Sequence, residues 1–261
     1  MTILDKIVAR KTIEVAAAKA KVSLEQLMQY PLFDRTCHNL KESVLDPAKT
    51  GIIAEFKRAS PSKGLINGSS AVEDVVLAYQ NAGASAISVL TDGDFFQGSL
   101  EDLTAARKVL SIPLLRKEFI VDRYQIAEAK AYGADIILLI AACLSPDTIR
   151  DLSVYAKSLG LNILLEVHNE EELLLNIIPE IDAIGVNNRN LKDFSVDLQH
   201  SYNLVNKIPD NYIKVSESGI ADPTTIKLLK ATGFHSFLIG ENFMKTKDPA
   251  AAIIDFVAQL D

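Results

Sequence analysis

Cysteine and histidine are scarce in this chain of 261 residues, and neither occurs in a spacing typical of metal sites. The two cysteines, Cys37 and Cys143, lie far apart and outside any CxxC motif. We therefore expect reduced thiols, buried as small apolar groups, and no disulfide. The four histidines form no HExxH pair, so we expect no metal site. They are His38, His168, His200 and His235.

A basic cluster and a long apolar run are also missing. The net charge of -7 argues against nucleic acid or an anionic membrane as the main partner. An anionic small molecule stays open, because a few local lysines can override the global sign. No apolar run approaches the length of a membrane span, and the first residues lack the apolar core of a signal peptide. We therefore expect a cytoplasmic protein.

Short apolar runs that are typical of strands alternate with amphipathic, helical segments along almost the whole chain. Apolar residues make up 48% of the chain, which is enough for one large core or two small ones. Several predicted helices end in a glycine that suits the left-handed conformation. The eight predicted strands are 51–57, 86–91, 113–117, 135–140, 162–167, 183–187, 212–216 and 236–240.

Eight strand-helix units indicate an α/β fold, a (β/α)8 TIM barrel, better than they indicate an open doubly wound sheet. The sequence has no GxGxxG loop, which a dinucleotide-binding sheet would carry. Residues 1–50 precede the first predicted strand and read as helical. We interpret them as an N-terminal extension packed on the barrel, so that 1–261 form a single domain. A mobile lid is the alternative for this extension.

The first predicted strand carries an acid and a base on one face. Because side chains alternate across a strand, Ile53, Glu55 and Lys57 point the same way, while Ala54 and Phe56 point the other way. The apolar neighbours indicate a buried strand, and the charged pair then reads as part of an active-site wall. The alternative is a surface salt bridge on an edge strand.

Polar residues also stand at the carboxyl ends of other predicted strands, where barrel enzymes carry their chemistry. Lys117 ends the third, Glu166 lies at the end of the fifth, Asn187 ends the sixth, Glu217 follows the seventh and Gly240 closes the eighth. Burying several charges by chance would be costly, so a common site explains them best.

Six segments of the sequence resemble the indole-3-glycerol phosphate synthase family, and the resemblance covers essentially the whole chain. It implies a (β/α)8 barrel with a helical extension over the active-site face, and neither a metal nor an organic cofactor. The segments are Glu55–Gly64, Phe95–Ser99, Arg116–Phe119, Leu165–His168, Gly185–Leu191 and Ser216–Ile220.

The implied substrate is 1-(2-carboxyphenylamino)-1-deoxyribulose 5-phosphate, which closes its ring and loses carbon dioxide and water. Ring closure needs an acid for the carbonyl oxygen, for which we choose Lys117, with a pKa lowered by burial. Dehydration needs a base, for which we choose Glu166. Lys57 is a candidate to share the acid role. The supporting residues are Glu55, Asn187 and Glu217, the last with its facing uncertain.

The substrate's phosphate and benzoate require separate binding groups. For the phosphate we expect the backbone amides of Ser218-Gly219 and Gly240-Glu241, with the carboxylate of Glu241 directed away. The benzoate carboxylate suits Lys57 and Ser60, with Arg189 as a second clamp. Two phenylalanines match an apolar anthranilate pocket, and a plain core role is equally open. They are Phe96 and Phe119.

Two rival functions stay open. A Schiff-base aldolase would use Lys57 or Lys117 to form an imine with a sugar phosphate. A non-catalytic phosphate-binding barrel would need the phosphate loops but not Lys117 and Glu166 together. In each case the expected partner is a phosphorylated small molecule, and we expect a monomer or a weak homodimer.

Overall fold

The computed structural model describes residues 2–190 and 193–260, and within them the chain forms a closed barrel of eight parallel strands. All eight predicted strands are present, with ends that agree to within one residue. Each strand pairs with its neighbour along the chain, and the last pairs with the first through Ile53 and Leu238. The barrel strands are β1 (Ile52–Phe56), β4 (Ala86–Leu90), β5 (Leu114–Lys117), β6 (Ile136–Ile140), β7 (Asn162–Val167), β8 (Ala183–Asn187), β9 (Ile213–Glu217) and β10 (Ser236–Ile239).

Helices precede and connect these strands. Two short 3-10 helices, Ala141–Cys143 and Val205–Lys207, complete the connections. The helices are α1 (Ile3–Lys21), α2 (Leu24–Leu27), α3 (Leu40–Leu45), α4 (Val72–Asn81), α5 (Gly93–Phe96), α6 (Leu100–Val109), α7 (Arg123–Ala131), α8 (Pro146–Ser158), α9 (Glu170–Leu175), α10 (Gln199–Leu204), α11 (Pro223–Ala231), α12 (Glu241–Met244) and α13 (Pro249–Val257).

The segment after β1 forms a small antiparallel hairpin, with strands β2 (Ala59–Ser60) and β3 (Gly64–Leu65). The cysteines differ in part from expectation. Both are free thiols, as predicted, but each is half-buried rather than fully buried.

The alternation of side chains along the strands separates two apolar layers. Ile53, Leu115 and Leu164 pack inside the barrel, whereas Ala54 and Phe56 face the surrounding helices. Fully burying a side chain of this size contributes about 1.5–3 kcal/mol, so the inward facing of each strand is strongly specified. A residue two positions after an inner apolar residue therefore also points into the barrel.

The helices before β1 contact both ends of the barrel. Leu40 and Val44 of α3 pack onto the inner apolar layer at the end where the strands begin. Ile3, Leu4 and Ile7 of α1 line a cavity at the opposite end, where the strands finish. That residues 1–261 form a single domain stays a prediction.

A buried lysine fastens α1 to the barrel. Lys11 lies in the buried row between Ile7 and Val15, and its Nζ is 2.7 Å from Asp92 Oδ2 and 3.2 Å from Glu118 Oε1. Burial alone would lower the pKa of Lys11, but the charge of Glu118 and the hydrogen bond that Lys11 donates to Asp92 outweigh it and raise that pKa. The ammonium is therefore held charged inside the protein.

We expect Lys11→Met to destabilise the fold far more than Lys19→Met. The first change removes the cation of the buried Asp92 and the nearer of two cations beside Glu118, whose other is Arg116 at 3.8 Å. Breaking a buried pair costs about 3–5 kcal/mol. Lys19 also joins α1 to the barrel, through Asp122 at 2.7 Å, but its side chain is 46% exposed. Such a pair contributes about 1 kcal/mol or less. Urea unfolding measures both values, and equal losses would contradict the account.

Candidate active site

One cavity of about 450 Å³ opens at the carboxyl ends of the barrel strands. All the site residues proposed from the sequence line it, which brings them together although their roles stay predictions. They are Glu55, Lys57, Ser60, Phe96, Lys117, Phe119, Glu166, Asn187, Arg189, Glu217, Ser218, Gly219, Gly240 and Glu241. Leu191, in one of the family-like segments, lies outside the described residues.

A single ammonium stands at the centre of this site. Lys117 Nζ is 2.8 Å from Glu217 Oε2 and 3.1 Å from Glu166 Oε2. Asn187 Nδ2 donates a hydrogen bond of 2.9 Å to the other oxygen of Glu166. These four side chains come from β5, β7, β8 and β9. They meet in the cavity because each occupies an inward position at the end of its strand. Together they form a buried network with one cation and two carboxylates.

The charges in this network reverse one expectation from the sequence. Burial would lower the pKa of Lys117, as predicted, but the charges of Glu217 and Glu166 outweigh burial and raise it. The prediction of a lowered pKa is therefore wrong. For Glu166, burial would raise the pKa, but the attraction of Lys117 and His168 lowers it. Lys117 is thus held as an ammonium beside an ionised Glu166.

Glu217 differs from Glu166 in the direction of its pKa shift. Burial, with repulsion from Glu166, raises the pKa of Glu217 to about 7 against the attraction of Lys117. Its facing, uncertain from the sequence, is inward: β9 extends through Glu217, and the chain turns only at Ser218, where φ is +69°. Its Oε1 is buried and makes no hydrogen bond within residues 2–190 and 193–260.

The acid and base of the first strand form a second ion pair in the same cavity. Lys57 Nζ lies 3.1 Å from Glu55 Oε1, and Ser88 Oγ donates to the other oxygen of Glu55 at 3.4 Å. Glu55 is only 4% exposed. Because β1 pairs on both sides in a closed barrel, the alternative of a surface salt bridge on an edge strand is wrong.

Two glycines make room for these carboxylates. A Cβ at Gly185 would lie 2.1 Å from Glu217 Oε1, and a Cβ at Gly240 would lie 2.6 Å from Glu55 Oε1. Both distances are shorter than any normal contact. Gly240 was expected only to let the backbone approach a phosphate, and the structure adds the accommodation of Glu55.

At the rim of the cavity, the carboxylate of Glu241 departs from the expected direction. It lies in the cavity wall, 3.4 Å from Arg189 Nη2 and 3.8 Å from Lys63 Nζ, rather than pointing away from the site. The guanidinium of Arg189 also donates to the Phe194 carbonyl at 3.3 Å. Arg189 is therefore held at the rim by groups that a bound anion would have to compete with.

Phe96 and Phe119 form an apolar pair on one side of the cavity. Their ring centroids are 6.1 Å apart, and both rings are half-buried. Asp92 accepts hydrogen bonds from the amides of Phe95 and Phe96, which begins α5 and fixes the position of Phe96. A half-buried pair that lines a cavity favours a binding surface over a plain core role.

Comparisons with known proteins agree with this geometry. The family model described as indole-3-glycerol phosphate synthase matches residues 4–256. An indole-3-glycerol phosphate synthase from Bacteroides thetaiotaomicron is 46% identical over 255 residues, covering 98% of this chain and 97% of the relative. One from Polynucleobacter asymbioticus is 41% identical over 264 residues, covering 98% and 99%.

The chain belongs to the indole-3-glycerol phosphate synthase family. Members of this family are lyases of tryptophan biosynthesis, and the chain is accordingly an enzyme of that class. The resemblance inferred from the six sequence segments is confirmed. The family resemblance and the closed parallel barrel are also consistent with each other.

Solved structures of low identity share only the barrel fold of this indole-3-glycerol phosphate synthase family member. A 3-hexulose-6-phosphate synthase from Salmonella typhimurium superposes with a TM-score of 0.63 at 13% identity, covering 81% of this chain and 98% of that one. The structure titled KGPDC from Streptococcus mutans gives a TM-score of 0.59 at 11% identity, covering 80% and 97%.

Three residues at or next to the site escaped the sequence reasoning. His168 was treated as one of four scattered histidines, yet its Nε2 lies 3.5 Å from Glu166 Oε1. Gly185 and Ser88 were not singled out, although both contact catalytic candidates. The period of two was a usable signal for Gly185, which lies two positions before Asn187 on an inward face.

Two further expectations concern a metal site and a membrane span. Across residues 2–190 and 193–260, no three His, Cys, Asp or Glu side chains are grouped so that they could hold a metal ion. In the same ranges, no helix has the length and apolar character needed to cross a membrane. The absence of a cofactor and the cytoplasmic location stay predictions.

Proposed function

We propose that the chain converts 1-(2-carboxyphenylamino)-1-deoxyribulose 5-phosphate into indole-3-glycerol phosphate, carbon dioxide and water, with Lys117 as general acid and Glu166 as general base. One observation carries these roles. Lys117 Nζ, held between two buried carboxylates at 2.8 and 3.1 Å, lies in the wall of the cavity. Family membership supports the reaction itself.

The cavity offers a suitable group for each end of this substrate. The amides of Ser218, Gly219, Gly240 and Glu241 bind the phosphate, as in many barrels whose seventh and eighth loops carry an anion. The benzoate carboxylate pairs with Lys57, Ser60 and Arg189. The anthranilate ring packs on the apolar pair of Phe96 and Phe119.

Ring closure begins when the aromatic carbon that bears the carboxylate attacks the ribulose carbonyl. The carbonyl oxygen becomes negative, and the Lys117 ammonium stabilises it and donates the proton. A raised pKa suits this role, because it keeps the ammonium charged until a much more basic alkoxide forms beside it. Carbon dioxide then leaves, and its bonding electrons restore the aromatic ring.

Dehydration is the step that follows the release of carbon dioxide. Hydroxide departs from the new ring, and Glu166 removes a proton from the neighbouring carbon to complete the indole. Asn187 holds the carboxylate of Glu166 in position through its 2.9 Å hydrogen bond. Glu55 orients Lys57 by the same kind of contact, at 3.1 Å. Glu217 supports Lys117 from the second side.

The rival functions fit the site less well. A Schiff-base aldolase needs a neutral amine as nucleophile, and the raised pKa of Lys117 opposes that form. A phosphate-binding barrel without catalysis would have no use for an ammonium and a carboxylate 3.1 Å apart in the cavity. Both arguments favour acid-base chemistry.

We expect the Lys117→Met variant to stall before carbon dioxide is released and the Glu166→Gln variant to stall after it. Each should lower turnover by about 10²–10⁴, the usual effect of removing a positioned acid or base. Lys117→Met should block carbon dioxide release, because ring closure lacks its acid. Glu166→Gln should release carbon dioxide and accumulate a hydroxylated, decarboxylated intermediate, visible by rapid quench and mass spectrometry.

The control for this pair is Lys157→Met, which breaks an exposed ion pair with Asp182 on the outside of the barrel. Its turnover should match the unmodified enzyme. Indole fluorescence reports the product well, because the chain contains no tryptophan. Normal carbon dioxide release by Lys117→Met, or normal turnover by Glu166→Gln, would show that the two roles are wrongly assigned.

The phosphate site calls for a test without substitution. Gly219 has φ +78°, and a Cβ there would lie 2.4 Å from Val196 Cγ1, so any side chain would disturb the loop for steric reasons. We expect glycerol 3-phosphate to shift the amide NMR signals of 218, 219, 240 and 241, since these amides would donate to phosphate oxygens. Glycerol is the matched control, and shifts confined to other loops would move the phosphate site.

A further inference from the structure

The proposed reaction consumes one proton from solvent in every turnover. A carboxylate leaves as neutral carbon dioxide, so the balance is substrate + H⁺ → indole-3-glycerol phosphate + CO₂ + H₂O. The proton consumed is the one that Lys117 places on the carbonyl oxygen, and this oxygen leaves as water with that proton and the one that Glu166 takes from the neighbouring carbon. The groups that handle protons, Lys117 and Glu166, line the substrate cavity, so a bound substrate would cover them on that side. A second route from solvent would let this network take up its proton while the cavity is occupied, and the inference below rests on the proposed function.

His168 lies on the far side of Glu166 from the substrate cavity. Its Nε2 is 3.5 Å from Glu166 Oε1, is buried, and makes no hydrogen bond in the described part of the chain. Its Nδ1 is 3.3 Å from Glu172 Oε2, which also accepts the His168 amide at 2.8 Å. The ring is thus held by Glu172 with its second nitrogen directed at the proposed base.

A second cleft, of about 400 Å³, reaches the same histidine from outside. His168 lines this cleft but not the substrate cavity, whereas Glu166 lines the substrate cavity but not the cleft. The imidazole therefore lies between the two spaces. The residues that line the cleft are His168, Asn169, Glu170, His200, Asn203, Leu204 and Lys207.

The charges around the ring favour its protonated form. Burial would lower the pKa of His168, but the hydrogen bond with Glu172 and the charges of Glu166, Glu172 and Glu217 outweigh it and raise that pKa. Burial and the charges of the same two carboxylates, Glu166 and Glu172, also raise the pKa of the Cys143 thiol on the neighbouring 3-10 helix. On the cleft side the charged groups are Glu170 and Lys207, with His200 beside them.

We propose that His168 relays the solvent proton from the second cleft to Glu166, and so recharges the acid-base network. During dehydration the proton that Glu166 takes from carbon goes to the departing hydroxide as water, which leaves Glu166 ionised beside the Lys117 amine. The His168 imidazolium then gives its Nε2 proton to Glu166, and Glu166 passes it to that amine. The neutral imidazole keeps its Nδ1 proton, and it turns so that Nε2 takes the replacement proton from water in the cleft. One proton enters per turnover, which matches the carboxylate lost as carbon dioxide, and no other reactant is needed.

His168→Gln tests this relay, because an amide can keep the contact with Glu172 but cannot carry a proton. We expect the steady-state kcat for indole formation to fall by about 10²-fold, the lower end of the usual acid-base effect, while the first turnover of fully protonated enzyme and KM stay nearly unchanged. Imidazole added at pH 7 should restore much of the rate, since it can enter through the cleft. The alkaline limb of the kcat profile, set by loss of the His168 proton, should disappear in the variant.

His200→Gln is the matched control, because His200 lines the same cleft but, within residues 2–190 and 193–260, forms no ion pair or hydrogen bond with Glu166. Its rate should equal that of the unmodified enzyme. The relay is contradicted if His168→Gln keeps the normal rate, or if its slow rate is not rescued by imidazole.

His168→Asn, assayed alongside, guards against a folding defect of one variant, and loss of the fold in both would assign His168 a structural role and overturn the relay. An unmodified enzyme that forms no indole product would instead contradict the proposed function.

Discussion

The site depends on one ammonium ion, that of Lys117, buried between carboxylates at the mouth of the barrel. Removing such a cation from water is costly unless paired groups replace its hydration. Glu217 and Glu166 supply that pairing at 2.8 and 3.1 Å, and in return Lys117 allows two acidic groups to lie close together in a buried place. In this network the pKa of Glu166 is lowered and the pKa of Glu217 is raised.

The barrel makes this arrangement through the period of two along its strands. Each inner apolar residue, such as Leu115 or Leu164, fixes the facing of its strand, and the polar residue two positions later must then enter the cavity. The N-terminal helix completes the enclosure, because Lys11 ties it to Asp92 and Glu118, next to Phe96 and Lys117. A buried charge thus connects the extension to the loops that hold the site.

Sequence reasoning was most successful where a feature depends on local periodicity. The eight strands and the inward facing of Glu55, Lys117 and Glu166 follow from alternation and from the glycines that end helices. All four glycines predicted to end helices have positive φ, namely Gly83, Gly133, Gly160 and Gly233.

What the sequence did not reveal depends on contacts between distant strands. The pKa of Lys117 was expected to fall with burial, but it rises because Glu217, 100 positions away, lies 2.8 Å from it. Gly185 matters only because the carboxylate of Glu217 occupies the space of its missing Cβ. The role of Lys11 depends on partners that two loops far along the chain contribute.

The account is tested most directly by an NMR titration that follows the side-chain signals of Lys117 and Glu217, assigned by comparison with Lys117→Met and Glu217→Gln. Lys117 should remain an ammonium through pH 10, because two carboxylates hold its proton, while Glu217 should titrate near pH 7. A Lys117 amine that deprotonates near neutral pH would contradict the account, since burial rather than the paired charges would then control the site.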